Sequence, residues 1–135
     1  MIWGGASESN LDPVRKLQKR IIRLIVGQHY LAHTDPLFAR LKILKINNIY
    51  KFAIAQYMFH NVGYFGDGRN NPYPTRTANQ VAPLLQRLAL SQRSLNYIGP
   101  QIWNSLPDNI RNITCLSLFN RKTKKYLIES YLPPN

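Results

Sequence analysis

The chain has 135 residues, 44% of them hydrophobic and 11% aromatic. That is enough apolar material for one domain with one core, and too little length for two comfortable ones. Eighteen Lys and Arg against six Asp and Glu give a formal net charge of +12. A field of that sign selects a polyanionic partner, nucleic acid first. The single cysteine, Cys115, excludes an intrachain disulfide or a CxxC pair, fits a reducing compartment and reads as a small buried residue. No apolar run approaches a membrane span, and the start of the chain carries no signal-peptide pattern. The expectation is a protein of the nucleus or cytoplasm.

In chain order, Asn10 or Asp12 caps a first helix, with Pro13 in its first turn and Gly27 at its end. At about 100° per residue, Val14, Leu17, Ile21, Leu24 and Ile25 share one arc and read as the core-facing stripe. Arg15, Lys16, Lys19, Arg20 and Arg23 share the opposite arc, with no acid among them to pair at i+4. A solvated face usually mixes signs, so an unmixed one points to a bound phosphate backbone.

Thr34-Asp35-Pro36 opens a short second helix with Leu37, Phe38 and Leu41 apolar. Asn47 caps a third, reaching about His60 and apolar nearly all round, which marks it as central. From Asn61 the composition turns to Gly, Asn, Tyr and Pro, giving a long loop over 61–79. Its glycines are not a phosphate-cradling loop, because no strand precedes them and no Gly-Lys-Ser/Thr follows. Arg76 within it, and Arg93 beyond it, extend the set of candidate phosphate contacts.

Val81, Leu84-Leu85, Leu88-Ala89-Leu90 and Leu95-Asn96-Tyr97 read as short extended segments with room for a small β-hairpin. Gly99-Pro100 then starts a short plug helix through Ile102, Trp103 and Leu106, stopped by Pro107. Trp103 and Pro107 are its structural anchors. After a turn at Asn109-Ile110-Arg111, Ser117 or Thr114 caps a last helix reaching about Tyr131. Phe119, Thr123, Tyr126 and Leu127 face the core, and Arg121, Lys122, Lys124 and Lys125 face out. The fold class is therefore mainly α: a small helical domain of four to five helices with a short plug helix.

The chemistry of an enzyme is absent from this pattern. The six acids are scattered singly, whereas a two-metal polymerase or nuclease needs converging carboxylates. His29 and His33 stand four apart, but only Asp35 lies near them, and zinc is not expected. No cofactor, metal or small-molecule substrate is implied.

Several stretches carry a resemblance. They are Trp3-Gly4-Gly5, the basic run Leu17 to Arg23, Thr34 to Phe38 with Leu41, Tyr73-Pro74-Thr75-Arg76, Ser94 to Pro107 ending Trp-Asn-Ser-Leu-Pro, and Ser117 to Leu127. In this order they resemble the region downstream of the polymerase palm in reverse transcriptases of jockey-like non-LTR retrotransposons. One departure is Asn120, where that family more often has lysine. The resemblance implies the C-terminal fragment of a larger polyprotein, without the catalytic aspartates. Its expected role is a non-catalytic contact to template RNA or target DNA by the basic helix faces, with Lys122, Lys124 and Lys125 assisting Arg15, Lys16, Lys19, Arg20 and Arg23. The alternatives are a packing module docking on the upstream polymerase core and a non-functional truncated copy.

Overall fold

The computed structural model describes residues 8–65, 80–81, 87–88 and 94–132. Their fold is mainly helical, as the sequence predicts: α1 Glu8–Val26, α2 Asp35–Leu41, α3 Ile46–Asn61, α4 Leu95–Asn104, α5 Asp108–Arg111 and α6 Leu116–Glu129, with a 3-10 turn at Val62–Phe65. The chain divides into two compact units, residues 1–52 with 121–135 and residues 53–120, the divisions falling inside α3 and α6.

In the first unit, α1 begins earlier than the capping pattern predicts. Asp12 and Pro13 are therefore interior helical residues and not cap and first turn. The proline removes one rung of the backbone ladder and the helix continues through it. At the other end Gly27 takes φ +67°, the left-handed conformation that ends a helix with no steric penalty at glycine. The larger correction concerns the faces of α1. Val14, Leu17, Ile21, Leu24 and Ile25, read as the core stripe, are 45–73% exposed, while Ile22 is 2% exposed. The inward face carries Gln18 and Ile22, with Leu11, Arg15, Lys19 and Val26 half-buried beside them.

Gln18 explains the rotation. Its side-chain Nε2 donates to the Leu44 carbonyl at 2.9 Å, and its Oε1 accepts the Ile46 N–H at 3.0 Å. That pair satisfies two backbone groups of the α2–α3 connection, groups that have no helical partner of their own. Asn47, expected to cap α3, is instead its second residue, because the cap is supplied from α1. The Tyr131 hydroxyl accepts from the Lys45 N–H at 2.9 Å and from Asn48 Nδ2 at 3.1 Å, and Asn48 Nδ2 also lies 3.1 Å from the Leu127 carbonyl. Around this polar web Leu44, Leu127 and Ile128 form an apolar cluster with Ala39, Phe52 and Tyr131 packed on it. Helix α6 follows its predicted pattern, with Phe119, Thr123 and Leu127 buried and its four cations outside, except that Tyr126 is exposed.

In the second unit, α3 is not apolar-buried all round: Ile54, Ala55 and Met58 are buried while Tyr57 is exposed. In the part of α3 that belongs to the first unit, Ile49 is likewise exposed. The helix runs through Asn61 and passes into the 3-10 turn, so the loop expected from Asn61 starts later. Residues 66–79 of that loop, Arg76 and Arg93, the segments at 82–86 and 89–93, and the Trp3-Gly4-Gly5 opening lie outside the described residues.

The plug helix is longer than predicted. It starts at Leu95, so Leu95-Asn96-Tyr97 is helical and not extended, and Pro100 lies inside the helix. Leu95, Ile98, Ile102 and Trp103 continue one apolar face through the proline, and burial of that face offsets the lost hydrogen bond. Gly99 does not supply a turn; its role is close approach. A Cβ there would sit 2.8 Å from Met58 Sδ. Trp103 is buried, its ring 5.8 Å from that of Phe119, which lies 4.6 Å from the ring of Phe59. Pro107 ends this segment and stands at the N-cap of α5, the one-turn element expected at Asn109–Arg111. The amide of Asn104 repeats the Gln18 device. It accepts the Val81 N–H at 3.0 Å and donates to the Val81 carbonyl at 2.8 Å. Cys115 is exposed, correcting its expected burial: it precedes α6, where its carbonyl accepts the Phe119 N–H. The Ser117 hydroxyl and the backbone N–H groups of Leu118 and Ser117 lower its thiol pKa.

Two substitutions test this packing. Alanine is the better helix former by about 1 kcal/mol, yet Gly99→Ala should lower the melting temperature, because displacing buried Met58 costs about 1–3 kcal/mol. In a Met58→Ala background the same change should become neutral or stabilising, and thermal denaturation of the four variants checks the reversal. In the first unit, Thr123 is fully buried and its hydroxyl has no hydrogen-bond partner. Thr123→Val should therefore raise stability by about 1 kcal/mol in urea unfolding.

Candidate nucleic-acid interface

The cations divide unevenly. The first unit holds thirteen of the eighteen Lys and Arg against four of the six acids. Helices α1 and α6 supply most of them, and the α2–α3 region adds Arg40, Lys42, Lys45 and Lys51.

A cavity of about 550 Å³ opens in this unit, with Arg15, Lys19, Lys45 and Lys51 on its walls and Asp35 as its one carboxylate. Asp35 is already engaged by Lys45, at 2.9 Å. Lys45 Nζ also lies 4.2 Å from the centroid of the Tyr131 ring, which fixes this ammonium between an anion and a π face. Arg15 reaches Asn47 Oδ1 at 3.4 Å. Lys19 and Lys51 make no ion pair among the described residues. The walls therefore carry more positive charge than the site itself neutralises, and they hold amide and hydroxyl groups but no nucleophile–base pair. Such a site can hold phosphate oxygens by charge-assisted hydrogen bonds.

The other predicted contacts fall in different places. Lys16 lies outside the cavity and bonds Asp12 at 2.7 Å, so the expectation of no acidic partner at i+4 is corrected. Asp12 also lies 3.5 Å from Arg15, and the Lys16 hydrogen bond holds its carboxyl below the usual range. Arg20 is exposed. Arg23 is used structurally: its Nε donates to the Ala32 carbonyl at 2.9 Å, fastening the turn after α1. Lys122, Lys124 and Lys125 are exposed, and Lys125 is 3.5 Å from Glu129. Lys124 and Lys125 join Lys42 and Arg121 around a second groove, floored by Ala39, Ile128 and Leu132.

Sequence reasoning missed Lys45 and Lys51. Lys51 sits four residues after Asn47 on a helix read as apolar on every side, and Lys45 lies in a connection without periodicity. The i,i+4 spacing of Asn47 and Lys51 was the available signal. Among the described residues no three His, Cys, Asp or Glu gather as cation ligands. No described helix is long and apolar enough to cross a membrane.

The site also sets a pH dependence. Burial raises the Tyr131 pKa above 10.0, with the Lys45 N–H and Asn48 opposing and the Asp35 charge adding to the rise. A raised folded pKa contributes stability below the unfolded value and loses it as pH climbs through the folded one. Stability should thus fall above pH 10, and Tyr131→Phe should flatten that limb while lowering stability at pH 7. Chemical denaturation between pH 7 and 11 measures both.

No protein-family model, no curated protein and no solved structure matches this chain.

Proposed function

We propose that this chain binds nucleic acid without catalysing a reaction on it, as the C-terminal segment of a retrotransposon-derived reverse transcriptase. The binding half of this reading rests on one observation: the concentration of cations in the first unit, with Lys19 and Lys51 at an under-neutralised cavity and Arg20, Lys122 and Lys124 on exposed helix faces. The retroelement half rests on the ordered residue matches from Trp3 to Leu127. Phosphate contact requires no further chemistry from the protein. Lysine and arginine displace condensed counterions from the nucleic-acid backbone, and that release drives association.

The partners of each cation support a different set of contacts from the one read along the sequence. Arg23 is occupied by the Ala32 carbonyl, Lys16 by Asp12 and Lys125 by Glu129. Lys19, Arg20, Lys51, Lys122 and Lys124 take the leading part, with Arg15 beside them.

Fluorescence anisotropy with single-stranded RNA and duplex DNA, titrated across salt, tests this. Each phosphate contact removed should reduce the log–log salt slope by about 0.7–0.9. A Lys19→Ala/Arg20→Ala/Lys51→Ala variant should lose two to three such steps and keep its melting temperature. Arg23→Ala should lower the melting temperature and leave the slope nearly unchanged. An unchanged slope in the triple variant refutes the interface.

A further inference from the structure

The strongest feature outside the cationic site is the exposed stripe of α1. Val14, Leu17, Ile21 and Leu24 follow the 3–4–3 spacing of a coiled-coil seam, all between 45% and 73% exposed on a helix otherwise anchored by Gln18 and Ile22. Read as heptads, the a positions are Val14 and Ile21 and the d positions are Leu17 and Leu24. β-branched residues at a with leucine at d favour two parallel strands. Ile25 at an e position, also exposed, widens the apolar face.

We propose that α1 pairs with α1 of a second copy of this chain as a short parallel coiled coil. Charge placement selects this occupant. The one charged residue bordering the seam is Arg20, at a g position. In a parallel pair it faces the e position of the other helix five residues on, which is Ile25, and its aliphatic stem covers that side chain. An antiparallel pair sets Arg20 against Arg20 and is repelled. An acidic partner helix finds only Arg20 to recognise, because Arg15, Lys16, Lys19 and Arg23 occupy b, c, f and c positions away from the seam. These four lie outside the pairing surface, Lys16 on Asp12, Arg23 on the Ala32 carbonyl and Arg15 on Asn47.

Two heptads bury less than the about 800 Å² per partner of a standard interface, so the dimer should be weak, with Kd on the order of 10–100 μM. The helix is already folded on its own unit, so pairing does not have to nucleate it.

Sedimentation equilibrium of the full chain tests the proposal, with the weight-average mass expected to rise from 15.6 kDa toward twice that value with concentration. Leu17→Glu/Leu24→Glu places like charges in both d layers and should abolish the rise, while circular dichroism and melting temperature stay as in the parent. A chain that remains 15.6 kDa to millimolar concentration overturns the proposal, as does a dimer that survives the double substitution. Orientation is read in a Cys115→Ser background. Val14→Cys should cross-link to itself under mild oxidation in the parallel pair. Cross-linking of Val14→Cys only to a Leu24→Cys chain would overturn the parallel arrangement.

Discussion

The first unit depends on how the backbone of the α2–α3 connection is satisfied. The Leu44 C=O and the Lys45 and Ile46 N–H groups stand where a seven-residue helix gives way to a sixteen-residue one, and none of the three has an intrahelical partner. Gln18 supplies an acceptor and a donor, and Tyr131 supplies a hydroxyl. Leaving such groups unpaired in a half-buried place costs about 1–3 kcal/mol each. Pairing two of them through Gln18 holds the Gln18 and Ile22 face of α1 toward the core. The exposed seam, the inward Arg15 and Lys19, and the cavity they line all follow from that rotation.

The second unit uses the same device once more, with the Asn104 amide pairing to Val81 as a strand would. Here the apolar side is denser. Trp103, Phe119 and Phe59 stack in sequence, and Gly99 lets Met58 approach the α4 backbone. A side-chain amide is a compact substitute for a β partner, since it carries an NH2 donor and a carbonyl acceptor on the same carbon. Both units thus hold an irregular segment in place without adding a strand among the described residues.

Electrostatics and packing are separable on α1. The cations of α1 divide: Arg23 and Arg15 bond neighbouring backbone and side chain, while Lys19 makes no ion pair among the described residues and Arg20 is exposed. A count of cations along a helix overstates the charge free for a ligand, because long side chains also fasten turns and pair with acids that lie one turn earlier, as Asp12 does. Weighing each cation by its partners turns a five-residue stripe into a smaller set and brings in Lys51, which the periodicity had hidden.

The sequence by itself determined the mainly helical class, the approximate ends at Gly27 and Pro107, the basic outer face of α6, the burial of Trp103 and the strong positive charge, while it read the one-turn helix Asp108–Arg111 only as a turn. These are local properties, set by periodicity, backbone chemistry and composition. Only the tertiary structure decided which side of α1 is inside, why Gly99 is glycine, where Pro100 lies in its helix, and which cations meet. Each of those turns on a partner distant in sequence: Leu44 and Ile46 for Gln18, Met58 for Gly99, Lys45 and Lys51 for Arg15 and Lys19. An amphipathic pattern records that a helix has an apolar face; what covers that face is settled by the competing needs of the chain around it.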